Sequence, residues 1–271
     1  MQRMCTDHDS HPPIEPISGA AIDAASVTLV GEDGTPFRAY LAKADRAPGA
    51  GAGAGTGAGS GAGMVILPDV RGLHPFFEEL ALRYAERGVT AVAVDYFGRT
   101  AGTGERGDHF EYMPHVEAAT WPHLAGDIRT AVGYLRGVDP GVRAVFTTGF
   151  CMGGRLSSMS ATLGLGLAGV IPFYGWPVGP NRNGTPAPAE VAGQIKGDVL
   201  AIYGGADNGI PKDVRDAYDR ALDAAGVRRE TIVYPNAPHS FFDRKAADFA
   251  AASTDAWDKA LAFIRSRTAT S

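Results

Sequence analysis

The chain has very little cysteine. Among its 271 residues only Cys5 and Cys151 are cysteines. Cys5 lies in a polar leader, so we expect no structural disulfide between the two. This scarcity argues against the disulfide-rich secreted class and favours a reducing compartment. We therefore expect a cytoplasmic protein.

The chain also lacks an excess of positive charge and long apolar runs. The formal net charge is −5, and Lys and Arg are scattered along the sequence. This pattern predicts neither a nucleic-acid surface nor an acidic-membrane surface. No segment is apolar enough over membrane-spanning length, and residues 1–19 are polar, without the apolar core of a signal peptide. We predict a flexible tail over 1–19, and a small molecule as the partner. The sequence indicates no oligomeric state.

What the chain does contain is a sizeable apolar fraction, 45%, arranged as alternating strand and helix patterns. A leading hairpin is followed by strands separated by helical stripes, which predicts a mostly parallel, doubly wound α/β sheet with helices on both faces. We expect one domain over residues 20–271. Strands are predicted at 26–30, 37–42, 64–67, 89–94, 144–148, 168–174, 199–203 and 231–234.

One low-complexity segment interrupts this pattern. Residues 48–63 are mostly alternating Gly and Ala, and they separate two predicted strands. The glycine spacing does not fit a dinucleotide fingerprint, and no Lys follows as in a P-loop. We interpret the segment as a flexible surface loop within the domain. No cofactor is predicted.

The segment 149–154 carries the strongest functional signal. It has the sequence Gly-Phe-Cys-Met-Gly-Gly between a predicted strand and a predicted helix. Small residues on both sides of a nucleophile allow a sharp turn that exposes the nucleophile at the carboxyl end of a strand. Cys151 occupies that position, and a thiolate is a strong nucleophile for acyl transfer. A buried core cysteine is the alternative, but glycines so close together carry an entropic cost unless the backbone needs them.

A cysteine nucleophile requires a base and an acid that orients it. In α/β-hydrolases the chain order is nucleophile, acid, histidine. His239 is the only histidine after Cys151, and it follows a predicted strand. Asp207 follows the strand at 199–203 and is therefore the preferred acid, because all three residues then lie at the same sheet edge. The other aspartates between them fall before that strand or on a polar helix: Asp198, Asp213, Asp216, Asp219 and Asp223.

Other histidines leave two questions open. His109, His115 and His123 fall between two predicted strands, where we favour a loop over the active site rather than a metal site, since their spacing is not compact. His74 precedes a predicted helix and either lines the pocket or is exposed.

These motifs resemble the dienelactone hydrolase family. The resemblance rests on Gly-Phe-Cys-Met-Gly-Gly, on Gly-Gly-Ala-Asp at 204–207, on Pro-His-Ser-Phe at 238–241 and on the segment 67–72, and it covers roughly residues 27–264. It implies a cofactor-independent hydrolase of esters or lactones that works through Cys151, His239 and Asp207. In the best-known branch a Glu that interacts with the thiol follows the first central strand; here that position holds Asp69.

Further site residues follow from the fold type and from the resemblance. The amides of Met152 and Val70 are the expected oxyanion-hole donors. The resemblance implies that Arg99 binds a substrate carboxylate, whereas a second arginine of that branch is replaced by Asp243. Tyr174 and Phe241 are further candidates for the substrate site. We therefore expect neutral or singly charged substrates. A general carboxylesterase or thioesterase is the alternative function, and a non-catalytic binding protein on the same scaffold is the alternative class.

Overall fold

The structure, a computed structural model, describes residues 10–18, 22–44, 61–107 and 109–269. Eight strands form one sheet in the order β1-β2-β4-β3-β5-β6-β7-β8. The strands are β1 (Ile22–Val30), β2 (Pro36–Ala44), β3 (Ala62–Leu67), β4 (Thr90–Val94), β5 (Ala144–Phe150), β6 (Gly169–Phe173), β7 (Asp198–Gly204) and β8 (Arg229–Tyr234). The helices are α1 (Pro75–Glu86), α2 (Gly98–Ala101), α3 (Tyr112–Ala118), α4 (Trp121–Val138), α5 (Met152–Ser160), α6 (Lys212–Ala224) and α7 (Ala250–Thr268).

The sheet is antiparallel at its beginning and parallel elsewhere. β1 and β2 form the predicted hairpin, and β2 pairs antiparallel with β4. The pairs from β4 through β3, β5, β6 and β7 to β8 are all parallel. Strands β3 to β6 are buried along their whole length, as expected of a parallel sheet covered on both faces. The predicted α/β class is confirmed.

Helices cover this sheet through their apolar stripes. On β5, Phe146 packs against Phe263 of α7, and the next residue, Thr147, is hydrogen-bonded to Ser157 of α5. Successive strand residues face opposite sides, so the two helices lie on opposite faces of the sheet. α1 lies beside α7, where the rings of Tyr84 and Trp257 are 4.6 Å apart. The parallel strands therefore direct all their carboxyl ends to one edge, where the loops that follow β3, β5, β6, β7 and β8 meet.

Two expectations about flexible segments need comment. Of the predicted tail, residues 1–9 and 19 lie outside the described residues, but 10–18 contact α1. Ile14 is buried, and the Ile17 amide donates to Glu86 Oε2 at 3.1 Å. Residues 10–18 thus contact the domain where the sequence predicted a flexible tail, and a sequence gives no sign of such long-range contacts. Of the Gly/Ala-rich segment at 48–63, residues 48–60 lie outside the described residues, and β3 begins within the predicted loop, at Ala62.

Glycines determine how closely α5 approaches the sheet. A Cβ on Gly153 would collide with the main-chain carbonyls of Leu67 and Pro68 at the end of β3. A Cβ on Gly154 would lie 2.5 Å from the Phe173 carbonyl oxygen at the end of β6. A main chain cannot move aside as a side chain can, so only glycine fits here. The turn before α5 is thus fixed by backbone contacts with two neighbouring strands.

Replacing Gly153 tests this close packing. We expect Gly153→Ala to lower the free energy of unfolding by about 3 kcal/mol, because the added methyl group overpacks against main chain. Gly133 is the matched control: it is exposed on α4, and a Cβ there meets nothing within 4 Å. Gly133→Ala should raise stability by about 0.5–1 kcal/mol. Chemical denaturation measures both, and a stability loss below 1 kcal/mol in Gly153→Ala would contradict the packing argument.

Candidate functional site

A cavity of about 590 Å³ opens at the carboxyl edge of the sheet. Its lining comes from the loops after β3, β5, β6, β7 and β8 and from α3. This is the position at which open α/β sheets bind ligands, and the volume suits a small organic molecule. The candidate residues in its lining are Val70, Cys151, Met152, Tyr174, Asp207 and His239.

Cys151 lies at the turn between β5 and α5. Its φ is 55° and its ψ is −110°, a conformation that is costly for a residue with a side chain. Its amide donates to the Phe173 carbonyl at 3.2 Å, and its own carbonyl accepts from the Arg155 amide at 3.2 Å. These bonds hold the strained turn in place. The cysteine is partly exposed and lines the cavity, so the alternative of a buried core cysteine does not hold.

His239 and Asp207 are in direct contact. His239 Nδ1 lies 2.6 Å from Asp207 Oδ2. Asp207 is 3% exposed, and its Oδ1 accepts from the Gly209 amide at 2.8 Å. Both carboxylate oxygens are therefore oriented, and the imidazole is held by Nδ1. His239 and Cys151 both line the cavity.

Met152 and Val70 both line the cavity next to Cys151. Met152 is the first residue of α5, so its N–H is one of the helix donors without an acceptor inside the helix. Val70 follows β3, which pairs with β5 up to the register Leu67↔Gly149. The helix N-terminus adds a partial positive charge that favours a developing oxyanion.

Asp243, which the resemblance indicated only as the replacement of a second arginine, is a buried acid. It is 3% exposed, and its Oδ2 accepts from the Tyr174 hydroxyl at 2.8 Å. Burial raises the pKa of Asp243 well above its usual value, against the hydrogen bonds from Tyr174 and the Arg244 amide. Tyr174 has a φ of 37°, and its ring centroid lies 4.9 Å from that of His239. Tyr174 thus connects the buried acid to the candidate base.

Asp69 has a different partner from the one that the resemblance implies. Its Oδ1 lies 3.8 Å from His74 Nε2 and accepts from the Arg71 amide at 2.9 Å. Burial raises the pKa of Asp69, but the hydrogen bonds and charges of His74 and Arg71 together outweigh it, so the pKa lies below its usual value. Asp69 is not in the cavity lining. His74 is 1% exposed, so it neither lines the cavity nor is exposed, contrary to both expectations.

Two other candidates lie away from the cavity lining. Arg99 donates to Asp33 Oδ2 at 2.7 Å and to Asp127 Oδ2 at 2.6 Å, so its guanidinium joins the β1–β2 turn to α4. This placement, away from the cavity lining, differs from the expectation that Arg99 binds a substrate carboxylate. Nothing in the sequence indicated that Asp33 and Asp127 are its partners. Phe241 is fully buried and packs on Tyr174 and Tyr234. It packs behind Tyr174, which lines the cavity, and does not line the cavity itself.

The segment between β4 and β5 covers part of the cavity, as favoured from the sequence. Met113 and Val116 on α3 line it. His115 stacks on Phe110 with 4.9 Å between the ring centroids, while His123 Nδ1 is 3.1 Å from Thr120 Oγ1. Within the described residues, no group of three His, Cys, Asp or Glu side chains could hold a metal ion.

Comparisons with known proteins bear on the same scaffold. The sequence profile of the dienelactone hydrolase family matches residues 51–268. The chain belongs to the dienelactone hydrolase family. It is therefore a hydrolase of the ester and lactone class, as expected. In the parts of the chain that the structure describes, no helix combines the length and apolarity needed to cross a membrane.

Individual relatives cover most of the chain. A provisionally named carboxymethylenebutenolidase of Saccharolobus solfataricus is 36% identical over 86% of this chain and 95% of its own. The carboxymethylenebutenolidase of Rhodococcus opacus is 29% identical over 74% of this chain and 79% of its own. A provisionally named dienelactone hydrolase of Klebsiella pneumoniae subsp. pneumoniae superposes with a TM-score of 0.75 at 25% identity, covering 90% of this chain and 98% of that one.

The position of Arg99 generates a test. We expect Arg99→Met to lower the free energy of unfolding by about 2–3 kcal/mol, because Asp127 is left buried without its guanidinium. Its KM for an ester that bears a carboxylate should equal that of the wild type. Arg129→Met is the control, since Arg129 joins the same turn to the same helix through the exposed Glu32. It should cost clearly less stability in denaturant titrations. A selective rise in KM for the anionic ester in Arg99→Met would return Arg99 to the substrate site.

Proposed function

We propose that the protein hydrolyses esters or lactones through a covalent acyl-enzyme on Cys151. The observation that carries this proposal is that one cavity is lined by a cysteine in a strained turn and by a histidine bonded to a buried aspartate. Nucleophile, orienting acid and base come from the loops after β5, β7 and β8, in the chain order that this fold uses. No cofactor is needed, because the thiol supplies the nucleophile and the imidazole transfers the protons.

In the first half of the reaction, Cys151 Sγ attacks the substrate carbonyl carbon. His239 Nε2 takes the thiol proton, and the carbonyl π electrons move to the oxygen. The amides of Met152 and Val70 donate to this oxyanion. When the carbonyl re-forms, the C–O bond to the leaving group breaks and His239 returns its proton to the leaving oxygen. For a lactone the leaving oxygen stays attached to the acyl group, and the ring opens.

In the second half, water replaces the leaving group. His239 takes a proton from the water as its oxygen attacks the thioester carbon. Collapse of the second oxyanion breaks the C–S bond and releases the acid, while the proton returns to the thiolate. Asp207 stabilises the imidazolium in both halves and fixes Nδ1. A shift from ester to thioester substrates would need no other residue, so a thioesterase remains the alternative within this mechanism.

The surroundings of the cavity indicate which substrates it accepts. Met113, Val116 and Ile210 supply apolar lining, while Lys245 and Arg182 place positive charge in it. Among the described residues that line the cavity, Asp207 is the only acid, and it is bonded to His239. We infer that neutral and singly charged anionic substrates both bind, and that two-point recognition of a carboxylate by Arg99 and a second arginine is absent.

Removing the thiol tests the mechanism. Cys151→Ala should lower kcat for a chromogenic ester by at least about a thousandfold, since the nucleophile itself is lost. Cys151→Ser retains a weak nucleophile and should keep a small part of the activity. Wild-type turnover should show a burst and should be abolished by iodoacetamide. Unchanged hydrolysis by Cys151→Ala, with its fold verified by circular dichroism, would exclude the acyl-enzyme.

The base and acid give a second, graded test. His239→Ala should remove most of kcat. Asp207→Asn should leave KM nearly unchanged and lower kcat by about a hundredfold or more, because the amide misorients the imidazole. Asp69→Asn is the control, since Asp69 contacts His74 and does not line the cavity. If Asp69→Asn is inactive and Asp207→Asn is not, the two acids have been assigned the wrong roles.

The charge of the substrate tests the cavity lining. Lys245→Met should raise KM roughly two- to fivefold for an ester with a free carboxylate, and leave a neutral ester of the same shape unaffected. Added salt should reduce the difference, because exposed charges are screened. Lys259→Met serves as the control, since Lys259 lies on α7 and pairs with Asp255. Equal KM changes on both esters would show that Lys245 acts through packing alone.

A further inference from the structure

Arg155 is buried in α5, four residues after Cys151. It is 3% exposed and donates from its guanidinium to four main-chain carbonyls. Nη2 lies 2.7 Å from the Thr185 oxygen and 2.8 Å from the Gly179 oxygen. Nε lies 3.1 Å from the Pro186 oxygen, and Nη1 lies 3.2 Å from the Trp176 oxygen. All four acceptors belong to the segment 176–186, which we call the cavity wall.

The cavity wall contributes directly to the candidate site. Trp176, Pro180, Asn181 and Arg182 all line the cavity. Trp176 is 41% exposed, so it presents a large aromatic surface to a ligand. The wall contains no helix or strand and consists of short turns and irregular chain. Its conformation therefore depends on bonds to other parts of the chain.

A second contact connects the wall to the nucleophile turn. Asn183 Oδ1 accepts from Thr185 Oγ1 at 2.7 Å and from the Thr185 amide at 3.1 Å. Asn183 Nδ2 lies 3.8 Å from Met152 Sδ. Arg155 and Met152 are both on α5, so the wall is held by the same helix that begins at the nucleophile turn.

The chemistry of Arg155 suits a residue that holds the cavity wall better than one that only fills space in the core. Four neutral carbonyls compensate its charge only in part, and burial lowers its pKa to about 10, with a smaller opposing effect from Glu190. Burying a charge is costly, and an apolar side chain of similar size would fill the space without that cost. Only a planar guanidinium has enough fixed donors to bind carbonyls from several turns of a loop at once.

We propose that Arg155 is a positioning residue that fixes the cavity wall relative to Cys151 and thereby determines which acyl groups the enzyme accepts. The proposal rests on the proposed function. Trp176 faces a cavity that Met113, Val116 and Ile210 also line, so the wall completes an apolar surface. Esters with a bulky aromatic acyl group contact this surface, whereas an acetyl group is too short to need it. Arg155 therefore matters for large acyl groups and not for the chemistry itself.

The test compares two esters with the same leaving group, 4-nitrophenyl acetate and 4-nitrophenyl 3-phenylpropionate. We expect Arg155→Met to raise KM for the phenylpropionate by about tenfold or more, since small displacements of a binding wall have large effects. Both kinetic constants for the acetate should stay within about twofold of the wild type. Trp176→Ala, which keeps the main-chain carbonyl, should raise the same KM. The double variant should then show less than the product of the two effects.

Hydrogen exchange gives a readout that does not depend on activity. Mass spectrometry should show faster amide exchange in the cavity wall, residues 176–186, of Arg155→Met than in the wild type. Arg136→Met is the matched control, because Arg136 Nη2 likewise donates to a loop carbonyl, that of Leu165 at 2.7 Å, and Arg136 does not line the cavity. It should change exchange near Leu165 and leave both esters unaffected.

Several results would overturn the proposal. Unchanged exchange in the wall, or equal losses on both esters, would show that Arg155 supports α5 only. If Arg155→Met does not fold, Arg155→Lys provides the test, since an ammonium group reaches fewer of the carbonyls and should give an intermediate KM and intermediate exchange. A wild type that hydrolyses neither ester would refute the proposed function instead, and the exchange experiment would still decide whether Arg155 holds the wall.

Discussion

The site depends on main-chain contact between the start of α5 and the ends of β3 and β6. Gly153 lies against the Leu67 and Pro68 carbonyls, and Gly154 lies against the Phe173 carbonyl. No side chain separates these backbones, so the strained conformation of Cys151 has little room to relax. The glycines therefore supply rigidity as well as space. The same closeness places the thiol, the helix N-terminus and the loop after β3 around one point in the cavity.

Around this point, buried polar groups are held by specific partners. Asp207 bonds to His239, Asp69 lies beside His74, and Asp243 accepts from Tyr174. A buried polar group that loses its partner destabilises the folded state. Each of these three contacts therefore holds the loop that carries the buried acid in one conformation. The loops at the carboxyl edge are thus ordered by hydrogen bonds between side chains, whereas the strands are ordered by the burial of apolar side chains. This division explains how a cavity lined by irregular segments keeps a defined shape.

The architecture could be predicted from the sequence because the signals for strands, turns and helices are local. Apolar runs, turn residues and helical spacing predicted the eight strands that the structure describes. Because Cys151, Asp207 and His239 each follow a predicted strand, their position at one sheet edge could be predicted too. Contacts between distant segments could not be predicted in this way. Arg99 was assigned to a substrate, but its acidic partners lie 66 and 28 residues away. Arg155 gave no signal at all, because main-chain carbonyls are its acceptors and these have no sequence signature.

The buried carboxyl of Asp243 has a consequence for how folding depends on protons. Its pKa is raised in the folded chain and ordinary in the unfolded one, so folding takes up a proton over the pH range between the two values. The contribution of this group to stability is complete below the unfolded pKa and declines as pH rises through the folded pKa. Above the folded pKa, the protein either carries a charged Asp243 beside Tyr174 or opens the loop that follows His239. Where the resemblance implied an arginine, this chain therefore carries a buried acid that couples the stability of the loop after His239 to pH.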